Sequence, residues 1–132
     1  NNIRVISIGQ KGFKTFIETW KSLHDESQDK LGVVRDYDRQ DQAKQDHEAY
    51  NSNSIMVKTS SGKEFEDDFV NKDDNLAKLN KLFGKKYSAQ EMYNHMTSDK
   101  LNNIIAVCQA ADTGEVFSTP DYISSLLEWM KQ

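Results

Sequence analysis

The residues in this chain best suited to chemistry are its acids, and they are unevenly placed. Residues 36–48 hold Asp36, Asp38, Asp41, Asp46 and Glu48, and residues 64–74 hold Glu64, Glu66, Asp67, Asp68, Asp73 and Asp74. Eleven of 21 acids thus fall in 24 of 132 residues, where even spacing would put about four. One reading is two solvated loops or helix N-termini, where the helix dipole favours negative charge. The other is a cation site, because hard divalent metals take clustered carboxylate oxygens. The spacing of Asp36 and Asp38 favours the second. They follow the apolar run Leu31-Gly32-Val33-Val34, and residues two apart at a strand end point the same way. Two such carboxylates repel unless a metal or a proton lies with them.

Other site chemistries fit less well. Asp36, Asp38 and Gln40 imitate the start of an EF-hand loop, but its sixth-position glycine is Asp41 and its twelfth-position glutamate is His47. His24, His47 and His95 are too scattered for zinc, and His47-Glu48-Ala49-Tyr50-Asn51 lacks the second histidine of a metalloprotease helix. Gly9-Gln10-Lys11-Gly12 lacks the lysine-serine ending of a phosphate-binding loop. Cys108, the single cysteine, is expected in the core of an apolar helix face and excludes an internal disulfide framework. There is no serine-nucleophile elbow.

The elements that must position these residues follow from periodicity. Ile3–Ile8 alternates apolar and polar residues and reads as a strand. Phe13, Phe16, Ile17, Trp20 and Leu23 recur at helical spacing and predict a helix over about 11–23. The short run at 31–34 predicts a strand buried on both faces. A strand, helix, strand order predicts a parallel sheet. Residues 39–53 are polar and predict a surface segment with a short helix around Ala43 to Tyr50, followed by a strand at Ser54–Lys58 and a turn at Ser60-Ser61-Gly62. The remainder predicts helices: a short one through Phe65, Phe69 and Val70; one stopped by Gly84; one opened by a capping box at Ser88 and Glu91; one through Leu101, Ile104 and Val107; and a last one after Thr119-Pro120-Asp121. The expected organisation is one domain in two parts, α/β over about 1–72 and helical over about 73–132.

The chain has 17 basic residues against the 21 acids, a formal charge of −4, which argues against bulk electrostatic binding of nucleic acid. No stretch approaches the ~20 apolar residues that span a bilayer. No signal peptide precedes Asn1, so a processed piece or excised domain of a cytoplasmic protein is expected.

Ile6-Ser7-Ile8-Gly9-Gln10-Lys11-Gly12-Phe13, Val33-Val34-Arg35-Asp36-Tyr37-Asp38-Arg39 and Gly62-Lys63-Glu64-Phe65-Glu66-Asp67-Asp68-Phe69 together resemble the TOPRIM domain of OLD-family (overcoming lysogenization defect) ATP-dependent endonucleases. The closing Thr119-Pro120-Asp121-Tyr122-Ile123 and Trp129 resemble that family's C-terminal helix. The resemblance covers nearly the whole chain. It implies a Rossmann-like, partly parallel sheet with flanking helices, and a bacterial phage-defence nuclease that cuts or nicks DNA with Mg²⁺ or Mn²⁺ at two metal positions. It also implies ATP use only through a separate ATPase domain, and a homodimer formed through the parent's other domains. Carried over by residue, Asp36 and Asp38 resemble the metal-holding aspartates, and Glu66 resembles the downstream glutamate that completes a second metal position. Glu64 and Asp67 are its adjacent alternates. Lys100 resembles the lysine aimed at the scissile phosphate, with Lys63, Lys85 and Lys86 competing. Arg35, Arg39 and Lys58 are candidates for contacting the DNA backbone. The family's opening strand, ending in a glutamate and glycine, has no counterpart before Ile3, and Glu18 and Glu26 do not replace it. Weak or absent activity is therefore expected of this piece alone. The alternatives are a non-catalytic interaction or dimerisation module, or a TOPRIM relative of primase, topoisomerase or RNase M5 type.

Overall fold

A computed structural model describes residues 3–8 and 12–132. The fold is mixed α/β and mostly helical, with a small parallel sheet. Among the described residues the elements run α1 (Phe13–Leu23), β1 (Leu31–Arg35), α2 (Asp41–Glu48), β2 (Ile55–Thr59), α3 (Phe65–Val70), α4 (Asn75–Phe83), α5 (Ala89–Ser98), α6 (Lys100–Asp112) and α7 (Asp121–Met130). They divide into two compact units: residues 1–60 with 121–132, and residues 61–120.

The first unit is built on β1 and β2. They pair in parallel from Leu31 opposite Ile55 to Arg35 opposite Thr59, and the crossover between them carries α2. The parallel sheet is therefore present, but not through residues 3–8. Ile3–Ile8, expected as a strand, adopts no regular structure, and Val5 and Ile6 are exposed. Alternation marks a segment able to form a strand, whereas a strand needs a partner's backbone groups. β1 has α1 against Val33 on one face and α7 against Gly32 on the other, but the second face is only partly covered, since Val34 is exposed. That differs from the two-sided burial its apolar run predicts. Ile17 and Trp20 of α1 pack with Val33, Ile55 and Val57 to form the core.

The final helix α7 also belongs to this unit and lies against both strands. Gly32 makes that approach possible, because a Cβ there would meet Met130 Sδ at 3.0 Å and Leu126 Cδ1 at 3.1 Å. Lys30 anchors the end of α7: its Nζ donates to the carbonyls of Trp129 (3.0 Å) and Gln132 (2.8 Å). A cation on the last carbonyls of a helix satisfies both their hydrogen bonding and the helix dipole.

The second unit packs α3 to α6 around Phe69, Val70, Leu79, Met92, Met96 and Val107. Its local signals act as expected. Gly84 ends α4 in the left-handed region at φ 66, where glycine carries no Cβ penalty. Ser88 and Glu91 form the reciprocal capping box of α5. Cys108 is exposed rather than in the core, because α6 turns Ile104 and Val107 inward and carries Cys108 off that face.

Asn75 is fully buried and ties two segments of this unit together. Its amide nitrogen donates to the carbonyls of Phe69 and Ser118 (both 2.8 Å), and its amide oxygen accepts from the Ser118 N–H (2.8 Å). Truncation would leave those backbone groups unpaired. Asn75→Ala is expected to destabilise the chain by roughly 2–4 kcal/mol in urea unfolding, and a loss below about 0.5 kcal/mol would show that water replaces the amide.

Candidate functional site

Most of the clustered acids are consumed by local structure. Asp41 accepts from the Tyr37 hydroxyl, and Asp46 accepts from Gln42 (2.8 Å) and pairs with Lys14 (3.6 Å). Asp67 takes the Lys63 N–H (3.0 Å), while Asp68 takes the N–H groups of Ser61 (2.9 Å) and Gly62 (2.7 Å). These bonds fold the 61–64 loop over the start of α3. A Cβ at Gly62 would lie 2.1 Å from Asp67 Oδ2, so a larger residue there would push the Asp67 carboxylate from its place. Asp73 and Asp74 pair with Lys72 and Lys78. For these acids the capping and solvation reading holds.

In the first unit, Asp36 and Asp38 lie just beyond the carboxyl end of β1, the end at which open parallel sheets place their ligands. Both are exposed, and a carboxylate oxygen of one lies within 4.8 Å of one of the other. The backbone holds them there. The Ser60 N–H donates to the Arg35 carbonyl (3.0 Å), and the Ser60 hydroxyl accepts from the Tyr37 N–H (2.9 Å). Asp38 and Arg39 are both left-handed, at φ 49 and 56. For residues with a Cβ this costs about 1–2 kcal/mol each, and such strain concentrates at functional turns.

The acids border a groove of about 510 Å³ whose wall includes Phe13, Gln40, Ala43 and His47. The His47 Nδ1–H donates to the Ala43 carbonyl (2.6 Å). A carbonyl can only accept, so Nδ1 carries the proton and the ring is fixed in one tautomer.

In the second unit, Glu64 and Glu66 are each only 8% exposed, at the start of α3. Tyr93 of α5 donates its hydroxyl to Glu64 Oε1 (2.5 Å), and Lys100, the first residue of α6, donates its Nζ to Glu64 Oε2 (2.9 Å). The same Nζ stands 4.0 Å from Glu66 Oε1. Burial pushes the Glu64 carboxyl up. The hydrogen bonds from Lys100 and Tyr93, with the charges of Lys100 and Lys63, outweigh burial and hold it below its ordinary value, so Glu64 stays ionised.

Lys100 thus sits with the acids, whereas Lys85 lies over the Tyr87 ring (5.7 Å) and Lys63 meets Asp67 through its backbone. Arg35, expected to face DNA, is instead buried, with Nη1 3.4 Å from the Thr59 hydroxyl. A strand-end position fixed its side chain in the sheet. Arg39 is exposed and Lys58 half-buried. Glu26 accepts from Ser54, before the start of β2, and so stands at the other end of the strands from Asp36. Sequence reasoning kept Glu64 only as an alternate to Glu66, and missed Tyr93 and Ser60. A tyrosine between the core methionines Met92 and Met96 carries no sequence mark of its long-range partner.

Tyr93 offers a direct test of this arrangement. Its hydrogen bond to Glu64, burial, and the charges of Glu64, Asp67 and Glu66 push its pKa up to about 12 from 10.0. A raised folded value means a stabilisation fully present below pH 10 and lost as pH rises towards 12. Ultraviolet titration is expected to show a late tyrosine component that Tyr93→Phe removes and Glu64→Gln shifts back towards 10; an unchanged titration in both variants would contradict the contact. Compared with known proteins, the chain matches no family model, no curated protein and no solved structure.

Proposed function

We propose that this chain is the metal-binding part of a nuclease that hydrolyses DNA phosphodiester bonds with Mg²⁺ or Mn²⁺, as its resemblance to the OLD-family TOPRIM domain implies. The observation that carries the reading is the Asp36–Asp38 pair: two exposed carboxylates within 4.8 Å, on a strained turn past the end of a parallel strand. The donor chemistry fits. Asp36 and Asp38 both offer carboxylate oxygens, the ligands that hard divalent cations take.

The roles follow from the residues. Asp36 and Asp38 would hold the ion, which supplies charge neutralisation and an activated water when bound. Glu66, in the first turn of α3, remains the candidate for a second position. Tyr93 would keep the Glu64 carboxylate oriented. Exposed Arg39 would contact the phosphate backbone, adding affinity that falls with salt. A second reading, a non-catalytic interaction module, is favoured by the apolar groove of about 320 Å³ along β1, bordered by exposed Val5 and Ile6. No helix among the described residues is long and apolar enough to cross a membrane.

Calorimetry and thermal melting in Mn²⁺ separate the two readings. The wild type is expected to bind Mn²⁺ and to melt several degrees higher at a hundredfold excess over Kd, equivalent to about 2.7 kcal/mol. Asp36→Ala/Asp38→Ala is expected to lose both responses, and DNA binding is expected to fall in excess chelator. An equal melting response in the double variant would assign any bound metal elsewhere and leave the interaction module as the better reading.

A further inference from the structure

The sheet of the first unit has an open edge with direction and chemistry. In a parallel ladder a residue turns both its N–H and its C=O to one neighbouring strand, and the next residue turns both the other way. The Leu31 N–H donates to the Ser54 carbonyl (2.8 Å), and the Arg35 carbonyl accepts from the Ser60 N–H (3.0 Å), so residues 31, 33 and 35 face β2. Gly32 and Val34 therefore turn their backbone groups to the opposite edge, where no strand pairs with β1 among the described residues. Such a row of open N–H and C=O groups is a template for a further strand.

The surroundings of that edge continue the layers of the sheet. α1 lies on one face of β1 and α7 on the other, and both helices overhang it. Phe13 and Phe16 of α1, with Ile123 and Leu127 of α7, line an apolar groove of about 320 Å³ beside Gly32 and Val34. Phe13, Phe16 and Ile123 are only half-buried and Leu127 is exposed, whereas Ile17 and Leu126, packed over the strands, are buried. The far wall of the groove is Ile3–Ile8. Ile3 and Arg4 border a cavity with Leu31 and Gly32, at the start of β1, while Ser7 and Ile8 border another with Val34 and Arg35, at its end. The segment thus runs beside β1 in the same direction, with the groove between them. It has the alternation of a strand and no strand beside it, and Val5 is left 93% exposed.

We propose that this groove seats a β-strand supplied by a partner polypeptide, paired with Gly32 and Val34 on one side and with Ile3–Ile8 on the other. The strand runs parallel to β1, as both its neighbours do. Helices cover both of its faces, so it is uncharged and apolar at successive positions, as β1 is over 31–34. A second copy of this chain fits less well, because its Ile3–Ile8 would bring Arg4 and Ser7 beneath the helices. The backbone pairing supplies affinity and the apolar walls supply selection. This goes beyond the nuclease reading and does not depend on a metal at Asp36 and Asp38.

The probe is a fluorescent peptide of five consecutive valine and isoleucine residues between lysine pairs, with a control carrying proline at the centre, followed by anisotropy. The parent peptide is expected to bind saturably and to slow amide hydrogen exchange at Gly32 and Val34. The control, which lacks a central N–H, is expected to bind about tenfold more weakly or worse. Val34→Pro removes the donor that faces the groove and leaves the ladder to β2 intact, as proline does at a sheet edge. It is expected to melt close to wild type and to lose about tenfold or more in peptide affinity. Should it fail to fold, Leu127→Lys replaces it, placing a charge on the groove wall at a position already exposed. No peptide binding, or equal binding of the control, overturns the proposal. So does slow exchange of Ile3–Ile8 in the peptide-free chain, which would show that this segment itself pairs with β1. Dimers that the peptide does not dissociate would assign the edge to a second copy and overturn it as well.

Discussion

The parallel pairing of β1 with β2 is the constraint on which the rest of the first unit depends. Five residue pairs run from Leu31 opposite Ile55 to Arg35 opposite Thr59, and both strands end together. Where a parallel ladder ends, its last backbone groups need new partners. Ser60 supplies them twice, through its N–H to Arg35 and its hydroxyl to the Tyr37 N–H. Those bonds hold Asp36 and Asp38 on either side of a fixed residue and force the chain into the left-handed turn at Asp38 and Arg39. The same pairing buries Arg35 in the sheet and so removes it from the surface.

The second unit solves a different problem, the burial of charge. Glu64 and Glu66 lie at the start of a six-residue helix, where backbone N–H groups and the helix dipole favour acids. That effect is too small to offset the burial of the Glu64 carboxylate. Lys100 and Tyr93, brought from α6 and α5 by helix packing, supply the difference. Asp67 and Asp68, only one and two residues beyond Glu66, spend their oxygens on the N–H groups of the preceding loop. Neighbouring acids thus do opposite work: two hold backbone, and two stay paired with a lysine.

Local signals in the sequence were legible because their causes are local. The helical spacing of Phe13 to Leu23, the glycine after α4 and the Ser88–Glu91 box each act within a few residues, and each appears at its place. The strand reading of Ile3–Ile8 failed because alternation says which faces a strand would have, but not whether a partner strand is there. Cys108 failed for a related reason. Its helix was clear, but the face that α6 turns inward is chosen by α3, α4 and α5.

From sequence alone came the identity of the candidate ligands Asp36 and Asp38. An apolar run followed by two acids two residues apart is a pattern written in consecutive residues, and the backbone at a strand end converts it directly into a pair of nearby carboxylates. Tertiary structure alone decided which of the downstream acids is buried and held as a carboxylate by long-range partners. Glu64, Glu66, Asp67 and Asp68 are indistinguishable by type and almost by position. Only packing that places Tyr93, 29 residues away, and Lys100, 36 residues away, against Glu64 separates it from its neighbours. Contacts across that much chain depend on how helices pack, and side-chain volumes summed over the whole core determine that, not any short motif.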